Sequence, residues 1–251
     1  MDELSLLVDL HRDGARQGPG GTEETRLAIT LSGLRAGKGL KIADIGCGTG
    51  AASLVLAQEL DAQVAAVDLL PAFLDKLDSA ARAMGLGHRI TTHAAAMEAL
   101  PFADASLDAI WSEGAIYNMG FERGLQSWRR FLKPGGVLAV SELTWLTQER
   151  PAELNDHWMQ AYPEVDTASA KIAVLEANGF TPLGYFALPQ HCWRENYYRP
   201  LQARFAAFAS RHAGDQTAAD LIAAEQAEIA LYDRNADHVS YGFYIARRTA
   251  D

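Results

Sequence analysis

Three glycines at alternate positions follow an acid in the stretch DIGCGTG. Gly46, Gly48 and Gly50 come after Asp44 and a short apolar run, and an alanine- and leucine-rich segment follows them. A glycine-rich turn between a strand and a helix lets a ligand approach the backbone, and it directs helix N-terminal amides toward negative charge. Such a turn suits a phosphate or the amino-acid-like end of a cofactor. Without further markers it is only a tight connection.

The spacing of the glycines separates these ligand classes. A dinucleotide site uses G-x-G-x-x-G, which accommodates a pyrophosphate, whereas this chain has G-x-G-x-G. No GK[ST] sequence follows, so a Walker-type phosphate site is not predicted. Asp68 ends the next apolar run, and in α/β nucleotide sites an acid at this place binds the ribose hydroxyls. An exposed Asp at a strand end is also common without any ligand.

The elements that must position these residues alternate along the chain. Apolar strands are predicted at 41–45, 62–68, 89–95, 107–113 and 136–143, and helices at 51–60, 71–84 and 121–132. The sequence LKPGG is typical of a helix end before the fifth strand. This alternation indicates parallel βαβ units in a doubly wound sheet.

The remaining segments are predicted to add helices on both sides of this core. Helices are expected at 4–10, 22–33, 153–161, 167–178, 195–212 and 216–234, and strands at 180–187 and 238–248. We therefore expect a single domain over 1–251. It divides into an N-terminal helical cap or lid (1–36), a cofactor-binding core (37–145) and acceptor-side helices with the last strands (146–251).

Composition limits the classes of partner. With 251 residues, 49% of them apolar, the chain can bury a sizeable core without disulfides. The net charge of −10 argues against nucleic acid and anionic membranes as partners. No apolar run reaches the roughly 18–20 residues that cross a bilayer, and the N-terminus does not resemble a signal peptide. We expect two free thiols, Cys47 and Cys192, a cytoplasmic location and a possible homodimer.

Four stretches, in order and at the right spacing, resemble the class I S-adenosylmethionine-dependent methyltransferases. They are ADIGCGTG, VDLLPAFLDK, AMEALPFADASLDAIWSEGAIYN and LKPGGVLAVSE. The sequence is most similar to a bacterial subgroup of uncharacterised small-molecule methyltransferases, with GPG near the N-terminus and RPAE beyond the fifth strand. The resemblance implies a Rossmann-like, seven-stranded α/β sheet, mostly parallel with the last strand antiparallel. It also implies S-adenosylmethionine as cofactor and a small-molecule methyl acceptor.

The resemblance further implies roles for individual residues. The glycine turn would hold the methionine end of the cofactor, Asp68 its ribose, and a lid at RQGPGG (16–21) its carboxylate. Leu69 and Phe73 would pack near the adenine, whose edge would be read at Met97 and Glu98. The implied cofactor-binding residues are Gly20, Asp44, Gly46, Cys47, Gly48, Gly50, Asp68, Leu69, Phe73, Met97, Glu98, Ser112 and Glu113.

Methyl transfer from a sulfonium asks little of catalytic side chains. It is an in-line displacement in which the protein orients two reactants, and a base is needed only where the acceptor must lose a proton. The candidates are Glu113, Tyr117 and His191, with Trp193 or Tyr197 as an acceptor-pocket wall. Glu113 has a second interpretation as a loop carboxylate paired with an arginine. No potential metal ligands stand at convincing spacing, so a metal-assisted mechanism is not predicted.

Three alternatives stay open beside the methyltransferase. The chain could be a cofactor-binding protein of the same fold that lacks catalysis. A dinucleotide-dependent oxidoreductase is opposed by the glycine spacing and by the downstream motifs. An aminopropyl transferase is opposed by the lack of its usual acidic polyamine-site signature.

Overall fold

An eight-stranded sheet organises the protein, and the computed structural model describes residues 2–249 of it. Seven strands follow the order β3-β2-β1-β4-β5-β8-β7, and the two-residue β6 pairs with β5. The strands are β1 (Lys41–Ile45), β2 (Gln63–Asp68), β3 (Ile90–Ala94), β4 (Leu107–Glu113), β5 (Leu132–Trp145), β6 (Asp166–Thr167), β7 (Phe180–Ala187) and β8 (Val239–Arg248).

Helices cover both faces of this sheet. They are α1 (Glu3–His11), α2 (Thr22–Ser32), α3 (Ala51–Glu59), α4 (Pro71–Ala83), α5 (Phe121–Arg129), α6 (Ala152–Ala161), α7 (Ala168–Ala177), α8 (Gln190–Trp193), α9 (Arg199–Arg211) and α10 (Gln216–Asn235). The two faces carry separate hydrophobic clusters, one beneath α5 and α7 and one beneath helices that include α2 and α3. Central strands buried on both faces explain their nearly continuous apolar sequences.

The predicted fold class is confirmed. Strands β1 to β5 pair in parallel, and β8 runs antiparallel to both of its neighbours, β5 and β7. The segment between β7 and β8 is helical, as expected from its length. The proposed division at residues 36 and 145 stays a prediction, and its terminal residues 1, 250 and 251 lie outside the described part of the chain.

Two predicted boundaries were wrong. The helix expected to reach residue 132 ends at Arg129, and β5 begins at Leu132 instead of Gly136. The KPGG sequence lies inside β5 because the pairing register with β4 shifts there, from Leu107–Leu132 to Ala109–Val137. Gly135 has φ +76°, a conformation that fits such an irregularity. The short strand β6 was not predicted.

The helix expected over 195–212 is also different. It starts at Gln190, and between α8 and α9 lies a π-helical turn over Arg194–Tyr198. Pro200 follows this turn, and a proline removes a backbone donor and collides with the carbonyl of residue i−4. A local widening of the helix accommodates that conflict.

Among residues 2–249, no helix combines the length and the apolar character required to cross a lipid bilayer.

Candidate active site

A cavity opens at the point where the strand order of the sheet reverses. Strand β1 lies between β2 and β4, so the chain leaves β1 toward one side and later returns to its other side. Ligands of doubly wound sheets bind outside the carboxyl ends of the strands at such a point. This first cavity measures about 510 Å³, and its lining includes residues that follow β1, β2, β3 and β4.

The glycine turn forms one wall of the first cavity. Gly46 and Gly48 both have left-handed backbones, with φ of +71° and +54°. A Cβ on Gly46 would collide with the Cβ of Ala115, and a Cβ on Gly48 with the side-chain oxygen of Gln17. Gly46 is therefore required by conformation and by space, and Gly48 by its left-handed conformation. The backbone amides of Gly46 and Cys47 donate to the Val67 carbonyl at 2.8 and 3.0 Å, which fixes the turn against β2.

Asp44 lies at the base of this wall. The residue is 1% exposed, and its Oδ2 accepts a hydrogen bond from Ser53 Oγ at 2.6 Å. Burial raises the pKa of Asp44 to about 7, with the Ser53 hydrogen bond acting in the opposite direction and Glu113 adding to the rise. A cationic group bound beside Asp44 would favour its ionised form.

Asp68 connects the end of β2 to the glycine turn. Its Oδ2 accepts from the Gly48 amide and its Oδ1 from the Leu70 amide, both at 2.9 Å. Burial raises the pKa of Asp68, and the backbone hydrogen bonds oppose that rise. Each carboxylate oxygen can accept more than one hydrogen bond, so these two amides leave capacity for hydroxyl groups of a ligand.

The wall next to Asp68 is apolar. Leu69 is 64% exposed and Phe73 is buried, and both line the first cavity together with Met97 and Glu98. Trp128 donates from Nε1 to the Met97 carbonyl at 3.0 Å, which holds the loop after β3 in place. An exposed leucine facing an apolar wall suits the flat face of an aromatic base.

Glu113 ends β4 and faces the N-terminal segment. Its Oε2 accepts from Arg16 Nη1 at 2.7 Å. Its Oε1 accepts from Thr25 Oγ1 at 2.7 Å and from Trp111 Nε1 at 2.9 Å. Both side chains of the Arg16–Glu113 ion pair are nearly buried. The Glu113 carboxylate accepts hydrogen bonds from three donors, Arg16, Thr25 and Trp111. The geometry thus agrees with the second interpretation of Glu113, a carboxylate paired with an arginine.

The N-terminal segment also closes over the glycine turn. Gln17 Oε1 accepts from the Thr49 amide at 2.9 Å, and Thr49 Oγ1 donates to the Gly14 carbonyl at 3.0 Å. Residues 16–19 line the first cavity. The stretch predicted to be a lid therefore lies on the turn in this structure, tied at Thr49 and at Glu113.

Other parts of the chain also line the first cavity. Leu4 and Leu7 of α1 line it with Tyr117, which is 39% exposed. The ring of Tyr241 on β8 lies against Gly114, where an added Cβ would be 2.8 Å from its Cε2. Leu4, Leu7 and Tyr117 thus add apolar and aromatic surface to the first cavity.

Trp193 has a different environment from the predicted acceptor wall. It is buried, stacks on Tyr232 with ring centroids 4.4 Å apart, and donates from Nε1 to Ser240 Oγ at 2.9 Å. Trp193 thus packs in the core beneath α10. Tyr197 is also buried and stacks against His11.

The comparisons with known proteins agree with this architecture. Residues 42–136 match the family described as "Methyltransferase domain". These residues contain the glycine turn, Asp68 and Glu113, with β1 to β4 around them. Residues 42–136 form a methyltransferase domain. The family resemblance found in the sequence is thereby confirmed.

Two relatives that carry methyltransferase names match part of this chain. Dimethylglycine N-methyltransferase of Parasynechococcus marenigrum is 35% identical over 102 residues, which are 40% of this chain and 36% of that protein. Phosphoethanolamine N-methyltransferase 1 of Arabidopsis thaliana is 26% identical over 163 residues, 64% of this chain and 32% of that protein. The chain thus matches about a third of the length of these two relatives.

A solved structure extends the similarity to nearly the whole chain. A methyltransferase from Geobacter sulfurreducens, described as S-adenosylmethionine-dependent and in complex with S-adenosyl-L-homocysteine, superposes with a TM-score of 0.82. The match covers 97% of this chain and 96% of that chain at 16% identity. At that identity the similarity establishes a shared fold.

Most of the predicted site residues meet at the methyltransferase domain's cavity. Those that line it are Asp44, Gly46, Cys47, Gly48, Asp68, Leu69, Phe73, Met97, Glu98, Glu113 and Tyr117. Four others do not line it: Gly20, Gly50, Ser112 and His191. Gly50 precedes α3, Ser112 is fully buried, and His191 lines a neighbouring second cavity of about 1070 Å³. The roles assigned to all of these residues stay predictions.

The sequence predicted no individual role for Arg16, Gln17 or Thr25. Arg16 and Gln17 lie in the predicted lid stretch RQGPGG, so its glycines were a usable signal for the segment. Thr25 lies within α2, where a threonine has no distinctive signal. Their contacts with Glu113 and Thr49 join residues between 32 and 97 positions apart in the chain.

Proposed function

We propose that this protein transfers a methyl group from S-adenosylmethionine to a small-molecule acceptor. One observation carries the proposal. The cavity at the switch point of a methyltransferase domain is acidic: among residues 2–249, Asp44, Asp68, Glu98 and Glu113 line it against a single base, Arg16. S-adenosylmethionine carries a sulfonium and an ammonium against one carboxylate, so its net positive charge suits an acidic, partly desolvated cavity.

Different residues would bind different parts of the cofactor. Asp44 and the glycine turn would hold the methionine end, with the ammonium directed to the buried carboxylate. Asp68 would accept the ribose hydroxyls through the capacity that its two amide bonds leave. Leu69 and Phe73 would pack on the adenine. The cofactor supplies an activated methyl group on sulfur, so no side chain has to generate the electrophile.

The protein's own contribution to the reaction is orientation and exclusion of water. The lid that Arg16 ties to Glu113 would cover the donor, and the apolar side chains of Leu4 and Leu7 also line the cavity. Holding two reactants in line is worth several kcal/mol in bimolecular reactions, about 7–11 kcal/mol for well-oriented pairs. Tyr117 would line the acceptor pocket. Its hydroxyl is the candidate for orienting an acceptor atom.

The test is acceptor-dependent release of S-adenosylhomocysteine. The full-length protein is incubated with methyl-labelled S-adenosylmethionine and a panel of small amines, alcohols, thiols and carbon acids, and product release is measured. We expect turnover with at least one acceptor class. Tight cofactor binding with no acceptor-dependent release would favour the non-catalytic alternative.

A matched pair of variants ties any activity to this cavity. Asp68→Ala removes a carboxylate that would make charge-assisted hydrogen bonds, so cofactor binding should weaken by about 10- to 100-fold. Asp75→Ala changes an exposed acid on α4 outside the cavity and should leave binding unchanged. Equal affinity of both variants would remove Asp68 from the ribose role.

The finer expectations from the sequence are part of this proposal. They are a cytoplasmic location, small-molecule acceptors in place of nucleic acid or membrane, and a possible homodimer. A sedimentation measurement of the purified chain addresses the last of these.

A further inference from the structure

A side-chain cluster outside the first cavity has the composition of a metal site. Glu24 of α2 faces His191 and Cys192 of α8, and the three potential ligand atoms all lie within 4.8 Å of one another. His191 Nε2 is 3.2 Å from Glu24 Oε1 and 3.7 Å from Cys192 Sγ. Glu24 and Cys192 are buried, whereas His191 is exposed.

The local backbone is shaped to bring these groups together. Gly21 precedes α2, and a Cβ on it would collide with Glu24 Oε2, so only glycine lets this carboxylate fold back over the helix start. The Gly20 amide donates to the Cys192 carbonyl at 3.4 Å, and Asn196 Nδ2 donates to the Gly20 carbonyl at 2.8 Å. These bonds hold the start of α2 against α8.

An independent feature indicates that the cluster is incomplete without a cation. Glu24 Oε2 is buried and has no hydrogen-bond partner within residues 2–249. A carboxylate oxygen buried without a partner is costly. A divalent cation held by the Glu24 carboxylate would give its buried Oε2 a positive partner and would stabilise the Cys192 thiolate.

We propose that Glu24, His191 and Cys192 bind a divalent transition metal of the zinc class. Sulfur, imidazole nitrogen and carboxylate oxygen are the ligands that Zn²⁺ takes in proteins. With Zn–S near 2.3 Å and Zn–N near 2.05 Å, a tetrahedral angle predicts an S–N separation of about 3.6 Å and an N–O separation of about 3.3 Å. The observed Cys192 Sγ–His191 Nε2 and His191 Nε2–Glu24 Oε1 separations are 3.7 and 3.2 Å, and the Cys192 sulfur lies within 4.8 Å of the Glu24 carboxylate.

The exposed side of His191 leaves the fourth ligand position to water. Binding deprotonates Cys192, and its proton goes to solvent as the sulfur–metal bond forms. The ion would join α2 to α8 beside the lid, where Arg16 lines both cavities. Its role is to hold α2 against α8, outside the residues that line the first cavity. The alternative is a plain ion pair between His191 and Glu24 with a neutral thiol beside it.

Cobalt substitution tests the proposal without reference to methyl transfer. The full-length, metal-free protein, carrying no histidine tag, is titrated with Co²⁺ under a non-thiol reductant. We expect one ion per chain, visible d–d bands of tetrahedral intensity, a near-ultraviolet thiolate-to-cobalt band, and displacement by Zn²⁺. Absence of these bands, with a linear and non-saturating response, would establish the plain ion pair.

Variants assign the site. Cys192→Ser should abolish the near-ultraviolet band, while Cys47→Ser, which changes the other buried thiol, should retain it. His191→Ala and Glu24→Gln should each weaken Co²⁺ binding by about tenfold or more. His191 is half exposed, so its variant keeps the test informative if Cys192→Ser fails to fold. A band lost in Cys47→Ser, or unchanged affinity in His191→Ala, would overturn the assignment.

Discussion

The two sides of the first cavity are built in different ways. On the glycine-turn side, residues 44–50 and 67–73 are held by backbone hydrogen bonds at the ends of adjacent strands. On the cap side, residues 4–19 are held by side chains that reach distant segments, as in the pair of Arg16 with Glu113, 97 positions apart. The first side is thus encoded locally, and the second depends on a few long-range contacts whose loss leaves charged groups without partners.

The largest expected loss of stability comes from breaking the Arg16–Glu113 ion pair on the cap side. Arg16→Ala removes a nearly buried guanidinium from the nearly buried Glu113 carboxylate, and removing one partner of such a pair costs about 3–5 kcal/mol. The free energy of unfolding, measured by urea titration, should fall by this amount. Arg26→Ala, which removes exposed ion pairs to Glu23 and Glu59, should lower the free energy of unfolding far less, because exposed ion pairs are screened by solvent. Similar losses in both variants would contradict the distinction.

A second prediction concerns the glycine-turn side. Gly46→Ala combines a left-handed backbone with a collision against the Ala115 Cβ, so it should cost about 2–4 kcal/mol of unfolding free energy. Gly85 has nearly the same φ, +72°, with open space around it. Gly85→Ala should therefore lower the free energy of unfolding only by the cost of the left-handed backbone, about 1–2 kcal/mol.

The difference between these two glycines can be tested by rescue. Ala115→Gly removes the colliding methyl, so the double variant with Gly46→Ala should lose no more stability than Gly85→Ala. Failure of the second substitution to restore stability would mean that contact with Ala115 is not the cause.

A third prediction uses the protonation of Asp44. Its pKa is raised from 3.8 to about 7 by burial, so a cationic cofactor that needs the ionised form must compete with a proton below pH 7. Affinity for S-adenosylmethionine should rise by up to about tenfold per pH unit between pH 5 and 7, then level off. Asp44→Asn should flatten this dependence, whereas Glu98→Gln, at an exposed acid of the same cavity, should not.

The same group has the opposite effect on the stability of the cofactor-free protein. A folded-state pKa above the unfolded value stabilises the folded state below about pH 4, and that contribution is lost as the pH rises to about 7. Thermal unfolding of the wild type and of Asp44→Asn over this range measures the contribution. A contribution that grows with pH would contradict the raised pKa.

The smallest expected effect concerns His191. It lies in the second cavity and pairs with Glu24, away from the residues that line the first cavity. His191→Ala should leave the dissociation constant of S-adenosylmethionine unchanged within about twofold, since effects of separated sites are nearly independent. A change of tenfold would place His191 at the cofactor.

The sequence was sufficient to predict the sheet and the glycine-turn side because both depend on short-range patterns. Alternating apolar strands and helices define the parallel sheet, and Gly46, Gly48 and Asp68 mark the edge at which the first cavity opens. A resemblance over four stretches added the family, which the match over 42–136 confirms.

The cap side was not predictable to the same degree. The partners of Glu113 come from the N-terminal segment, α2 and β4, and their meeting follows from tertiary packing that has no periodic signal. The same holds for Glu24 and His191, which stand 167 positions apart in the sequence but 3.2 Å apart in the structure. Trp193 differs in the other direction. The sequence suggested it as a wall of the acceptor pocket, whereas in the structure it stacks on Tyr232 in the core.

Calorimetric titration of the full-length protein with S-adenosylmethionine, S-adenosylhomocysteine and NAD tests the central claim most directly. We expect the first two to bind at one site with dissociation constants of about 1–100 μM, and NAD to give no heat above dilution. Binding of NAD alone would contradict the assignment of the acidic cavity to a methyl-donor cofactor.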